Sequence, residues 1–429
     1  MVYYQTGIGT YGGNHILTKT SEVLDQAVAW NLETHITDGY EFLMQNYRTG
    51  DKICIFGFSR GAYTARCLAG MLHKVGLLPT CNHQQVPFAY KMYSRPDEAG
   101  WAQSNAFKKA FCIDVDIEFL GVWDTVNSVG IIPHRLPFTT SNTMVRTFRH
   151  AIALDERRAN FKANMWNRPT HNEELLSITD QEAAVKVQKA EQRKAKGSNN
   201  HKGHMHRYET QYSNIRHETN VEEVWFAGCH CDVGGGSVSN ATKHSLARIP
   251  LRWMIRECFR SETGIMFKAD ELRRLGMLPE SLYPVVLPRS PALGPEPPKF
   301  IERMPPSQPS NLTAANFVSL EDDPSSKLSE EEHDLLDALS PKYDQLAIAK
   351  TWWLGELMPM RHRYQRSNGE WTQAWGMNLG GGRIIPRQNT QGVKIHRSVK
   401  TRLEAMFEDG EKYVPQAANL DMTKVKWVE

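Results

Sequence analysis

The sequence predicts a three-layer α/β fold on a mostly parallel sheet, and three observations carry that prediction. Apolar runs of strand type recur as KICIFGF at 52–58, IEFLGVW at 117–123 and EVWFAGC at 223–229. Stretches with apolar residues at helical spacing separate them, and buried strands alternating with helices indicate a sheet covered on both faces. With 40% hydrophobic and 23% charged residues in 429, the chain has enough apolar material for a sizeable core.

In order, residues 2–8 read as a short strand ending in a Gly-rich loop, and 22–47 as a long amphipathic helix with Leu24, Ala27, Val28, Leu32 and Ile36 on one face. The run 52–58 is a strand, and 61–74 resumes a helical pattern through Ala62, Ala65, Leu68 and Leu72. After the strand 117–123, residues 142–159 read as a helix and 223–229 as a third strand. Residues 168–222 form a charged insertion: between 181 and 207 lie seven Lys or Arg against two acids, with His201, His204 and His206 close together. A solvated helix and flexible insertion is the expected reading and a metal- or phosphate-binding tract the alternative, although the histidine spacing matches no metal signature. Nine of the 22 prolines fall between 284 and 309. The expected organisation is therefore an α/β domain over 1–283, a Pro-rich linker over 284–341, and an irregular C-terminal region over 342–429 that packs on the core.

Composition narrows the function. Lys plus Arg exceed Asp plus Glu by only 51 to 48, which announces no nucleic-acid partner. Seven scattered cysteines suit a reducing compartment rather than a disulfide framework. No basic and apolar leader opens the chain and no run approaches 18 apolar residues, so a soluble cytoplasmic protein is expected.

The sharpest chemical signal is Gly57-Phe58-Ser59-Arg60-Gly61, a G-x-S-x-G between a strand and a helix. That context is the nucleophile elbow of α/β-hydrolase-like folds, where flanking glycines relieve crowding and the serine is presented above the sheet. A serine hydroxyl needs a base, and the base an orienting acid. Asp124 directly follows one strand and His230 another, in the chain order Ser, Asp, His. Asp124 could instead cap the next element, and His230 could be a structural histidine. Asp232 is a second acid beside His230, His396 a second candidate base, and Asp155 a residue expected to pair with Arg157 or Arg158. Cys229-His230-Cys231 is too closely spaced for a tetrahedral metal site, so neither metal nor cofactor is expected. The oxyanion donors would be the backbone N–H of Arg60 and one from Gly7 or Gly9, with Asp232 and the glycines 234–236 near the substrate.

Four blocks, IFGFSRGAYTAR, FLGVWDTVNSVG, HAIALDERRANF and VWFAGCHCDVGGG, together resemble the α/β-hydrolase family that includes the type VI secretion phospholipase effectors of bacteria. The C-terminal extension is more similar to that of fungal members. The resemblance covers roughly residues 1–260 and implies a Ser-Asp-His triad at Ser59, Asp124 and His230. It also implies a strand and an Asp-Gly-Thr block before YYQTGIGT, which this chain does not show. The expected activity is hydrolysis of a carboxylic ester in a small molecule or lipid, with transient membrane-surface contact. The alternative is a catalytically impaired scaffold. Trp352, Trp353, Leu354, Leu357 and Met358 are expected in the packed core rather than in a lid.

Overall fold

The computed structural model describes residues 1–7, 21–126, 136–140, 142–166, 218–295, 328–407 and 410–429. Its centre is a parallel sheet in the order β1 (Ile53–Phe58), β2 (Ile117–Trp123), β3 (Val145–Ala153), β4 (Asn220–Phe226), β7 (Val393–His396), β8 (Val425–Val428). Strands β5 (Met360–Gln365) and β6 (Trp371–Gly376) form a separate antiparallel hairpin. The fold is a three-layer α/β sandwich.

Alternation along β2 shows why two faces are covered. Leu120 and Val122 join the core built from Ile36 and Tyr40 of α1 (Ser21–Asn46), Met71 and Leu72 of α2 (Arg60–Val75), and Ala89 of α3 (Val86–Ser94). Helix α4 (Glu98–Phe111) packs Phe107 on the same cluster. Phe119 points the other way, toward Ile249, Trp253 and Met254 of α6 (Arg248–Arg260), which follows the short α5 (His230–Gly234). Gly121 sits between them because a Cβ there would lie 2.8 Å from the Met254 sulfur.

Three expectations are corrected. The segment 142–159 is not a helix: Val145–Ala153 is a central strand paired on both sides. Its residues are buried almost without a break, so an apolar run there carries no period to separate helix from strand. Residues 2–7 form no strand, and Ile8 lies outside the described residues. Within 284–341, helix α7 (Glu330–Ala338) docks on α6 through Arg252, which pairs with Asp334 at 2.6 Å and Asp337 at 2.5 Å. The C-terminal region is also more than a packed neighbour, since β7 and β8 extend the central sheet itself. The insertion 168–217, its histidines included, lies outside the described residues.

Candidate active site

Only Ser59 separates β1 from α2, and its backbone pays for that tightness with φ 60° and ψ −122°. A positive φ on a residue with a Cβ is strained and persists where the surroundings enforce it. Its N–H is anchored to the Trp123 carbonyl of β2 at 3.0 Å. Of the two flanking glycines only Gly57 is sterically demanded. A Cβ at Gly57 would come within 2.4 Å of the Gly61 carbonyl oxygen, whereas one at Gly61 would meet open space.

His230 opens α5 just after β4, and Asp124 follows β2 in a second positive-φ turn, φ 41°. These are carboxyl ends of parallel strands, so their loops converge above the same edge of the sheet as Ser59. Asp124 is fully buried and His230 nearly so. The imidazole Nδ1 lies 2.5 Å from Asp124 Oδ2, and Nε2 lies 2.7 Å from Ser59 Oγ. An ionised carboxylate only accepts, so Nδ1 carries the proton and the serine hydroxyl donates to Nε2. The ring lies between Phe58, 4.6 Å away between centroids, and Phe161, 4.9 Å away. Phe161 in turn meets Trp352.

Sequence reasoning missed Arg383. Its guanidinium forks onto Asp124, Nη1 to Oδ1 at 2.5 Å and Nη2 to Oδ2 at 2.9 Å. Burial alone would raise the Asp124 carboxyl, but Arg383 and His230 outweigh it and hold it well below the usual carboxylate range. The available signal was the run Gly380-Gly381-Gly382-Arg383. A Cβ at Gly382 would lie 1.7 Å from the Gln416 carbonyl oxygen, so the chain passes there only without a side chain.

The other candidates fall as follows. Asp232 caps α5, accepting from the Cys229 N–H at 2.9 Å, the Ser237 hydroxyl at 2.7 Å and the Tyr343 N–H at 3.0 Å, while burial raises its carboxyl. Its oxygens are engaged there and not with His230. Asp155 pairs with neither arginine expected of it. It accepts from the Tyr413 hydroxyl at 2.7 Å and the Gly228 N–H at 2.7 Å, while Arg157 pairs with Asp344 and Arg158 with Glu156. His396 is buried against Phe226 and bonded to Ser398, with burial pushing its imidazole down to about 3. Arg60 is the first residue of α2, where a backbone N–H has no intrahelical acceptor. Gly7 is exposed and lines a cavity of about 2320 Å³ that also touches Phe58, Gly61 and Gly235. Gly9 lies outside the described residues. Among the described residues no group of three His, Cys, Asp or Glu is placed to hold a metal ion.

A parallel α/β sheet with a Ser-His-Asp cluster over its carboxyl edge is thus the class of protein defined here. Residues 1–257 match the family described as the type VI secretion, phospholipase effector Tle1-like, catalytic domain, and the chain belongs to that family. It is 27% identical to the uncharacterized protein YEL023C of Saccharomyces cerevisiae, over 94% of this chain and 73% of that one. Among solved structures it is similar to an uncharacterized protein from Pseudomonas aeruginosa, with 20% identity and a TM-score of 0.27 over 61% of this chain. It is also similar to the Tle1 effector bound to the VgrG spike, with 16% identity and a TM-score of 0.19 over 55% of this chain. The chain spans 30% and 40% of those two structures.

Proposed function

We propose that the protein is a serine hydrolase that cleaves a carboxylic ester, with a lipid ester as the preferred substrate. The observation that carries this reading is the continuous hydrogen-bond line from Ser59 Oγ through His230 to Asp124, on a backbone held at φ 60°. Ser59 Oγ attacks the ester carbonyl carbon as its proton passes to His230 Nε2. Asp124 keeps the proton on Nδ1 and stabilises the imidazolium. The Arg60 N–H faces the developing oxyanion, and Gly7 or Gly9 supplies the second donor. The imidazolium then protonates the departing alcohol, and water releases the acyl group by the same sequence.

Family membership supports the lipid, and a cavity with Phe42, Leu43, Ile55, Phe56 and Leu68 in its wall reaches Phe58 and Gly61 on either side of the nucleophile turn, although Ser59 and His230 do not line it. The C-terminal region supports the lipid too. Contrary to the packed-core expectation, Trp352, Leu354, Leu357 and Met358 are exposed and Trp353 is half-buried, and Trp375 of the hairpin is exposed as well. Leu357 and Met358 precede β5 and Trp375 lies opposite Arg361 on β6, an apolar and cationic mixture suited to transient membrane-surface contact. No helix among the described residues is long and apolar enough to cross a membrane.

The test is labelling by a fluorophosphonate, beside Ser59→Ala and His230→Ala. Labelling lost with Ser59 and strongly reduced without His230 is expected, followed by hydrolysis in an ester and phospholipid panel. Folded wild-type protein that fails to label would reject the hydrolase reading in favour of a binding scaffold.

A further inference from the structure

Asp124 is a buried carboxylate with four donors on two oxygens. The Ala153 N–H takes Oδ1 at 2.8 Å, His230 takes Oδ2, and the Arg383 fork takes one bond on each. Two parallel N–H bonds fix the plane of a carboxylate, which a single bond cannot do. Arg383 is itself immobilised. Its remaining donors go to main-chain carbonyls, Nη1 to Ala153 at 2.9 Å, Nε to Phe161 at 3.1 Å and Nη2 to Phe161 at 2.5 Å. All five guanidinium N–H groups are therefore used. The Phe161 carbonyl belongs to the residue whose ring rests on His230, so one side chain holds both the acid and a wall of the imidazole. Arg383 lies outside the matched family region, which ends at residue 257.

We propose that Arg383 is a positioning residue of the active site, by which the C-terminal region aims Asp124 Oδ2 at His230 and divides the carboxylate's charge between imidazole and guanidinium. This rests on the hydrolase reading for its kinetics but not for its geometry. A lone Asp124 would give its full negative charge to the imidazolium. With Arg383 opposite, the acid–arginine pair is neutral, and the imidazole faces a carboxylate whose charge is shared with the guanidinium. Other charged or titratable groups face this cluster. Glu156 accepts the His230 backbone N–H at 3.2 Å and pairs with Arg158, Lys162 lies near Arg383, and His150 accepts the Thr125 N–H at 3.1 Å. None of them makes a fork on Asp124.

Removing the guanidinium should therefore do two separable things. The acid loses its aim, and the acid limb of reactivity moves to higher pH, since a carboxylate relieved of its guanidinium turns its whole charge on the imidazolium formed in the reaction. The experiment compares the full chain with Arg383→Lys, Arg383→Gln and Arg383→Met. It reads the rate of Ser59 labelling against pH, the thermal midpoint, and the low-field proton resonance of the His230 Nδ1–H, assigned by its absence in His230→Ala. The Gln and Met variants should label about 100-fold more slowly, the loss expected of misplacing a reacting group by roughly an ångström. Their acid limb should shift upward and the low-field resonance should move or broaden. The Lys variant, which keeps the charge without the fork, should keep the wild-type limb while remaining slower.

Labelling of the Gln and Met variants within threefold of wild type with an unmoved limb would overturn the proposal, as would an unchanged low-field resonance. Should Arg383→Met fail to fold, the Gln and Lys variants decide. Failure of all three to fold would assign Arg383 to stability alone and also overturn it. Should wild-type Ser59 not react at all, the hydrolase reading falls while the resonance still judges Arg383.

Discussion

The two ends of this chain build one site in different ways. Residues 1–257 contribute Ser59, Asp124 and His230, each the first polar residue beyond a buried strand or one turn after it. Residues 328–429 contribute no member of the hydrogen-bond line. They contribute the Arg383 fork, the Trp352 ring behind Phe161, two strands of the sheet and an exposed apolar hairpin base. In the proposed mechanism the first region holds nucleophile, base and acid, and the second holds the acid and a wall of the imidazole in place. The lesson is that the boundary of a sequence family need not be the boundary of a working site.

If that division is right, the largest loss lies in the first region. Asp124→Asn should reduce turnover about 10⁴-fold, because an amide presents the wrong partner to Nδ1. Ester hydrolysis with a soluble chromogenic substrate checks it, and a loss under tenfold would break the division of roles. Glu356 offers the next test, on stability. It is buried and accepts from the Ala159 N–H at 2.5 Å, the Gly380 N–H at 2.9 Å and the Asn378 side chain at 2.5 Å, which ties the C-terminal region to the Phe161 loop. Glu356→Ala leaves those donors unmet and should cost about 3 kcal/mol in urea unfolding.

A smaller effect depends on pH. Burial depresses the folded His396 imidazole to about 3 from its ordinary 6.5, so the unfolded chain takes up the proton first as pH falls. The fold binds fewer protons there, and stability drops with acidity below about pH 6, by about 1.4 kcal/mol per unit from this group alone. His396→Phe should flatten that slope in denaturant titrations run at pH 7 and pH 5. An unchanged slope would mean that His396 is protonated in the fold. The smallest effect is at the surface. Trp375→Ala should leave soluble-ester hydrolysis and the thermal midpoint unchanged while weakening sedimentation with anionic vesicles a few-fold. Equal binding would remove the hairpin from the membrane contact.

Much of the site was legible before folding because its physics is local. A strand ending in G-x-S-x-G leaves one residue to turn the chain, and that shortness alone dictates the strained serine. Asp124 and His230 follow runs whose apolarity declares them buried strands. The weaker readings failed where locality fails. VRTFRHAIA is buried on both faces of the sheet, so it carries neither the period of a half-exposed strand nor that of a surface helix. Leu354, Leu357 and Met358 are apolar, but apolarity does not say which side of the surface a residue takes.

The sequence by itself thus determined three strands of the central sheet, the tight turn at Ser59 and a short set of acids and histidines at the strand ends, since each depends on neighbours a few positions away. Only the tertiary structure decided which acid faces His230, with Asp124 taken and Asp232 and Asp155 spent on backbone and side-chain donors. It alone brought Arg383 to Asp124 across 259 positions. No periodicity or motif spans that distance. A guanidinium enters a fully buried site only when its carboxylate and carbonyl partners are already assembled there, and that assembly exists in the fold and nowhere in the chain read linearly.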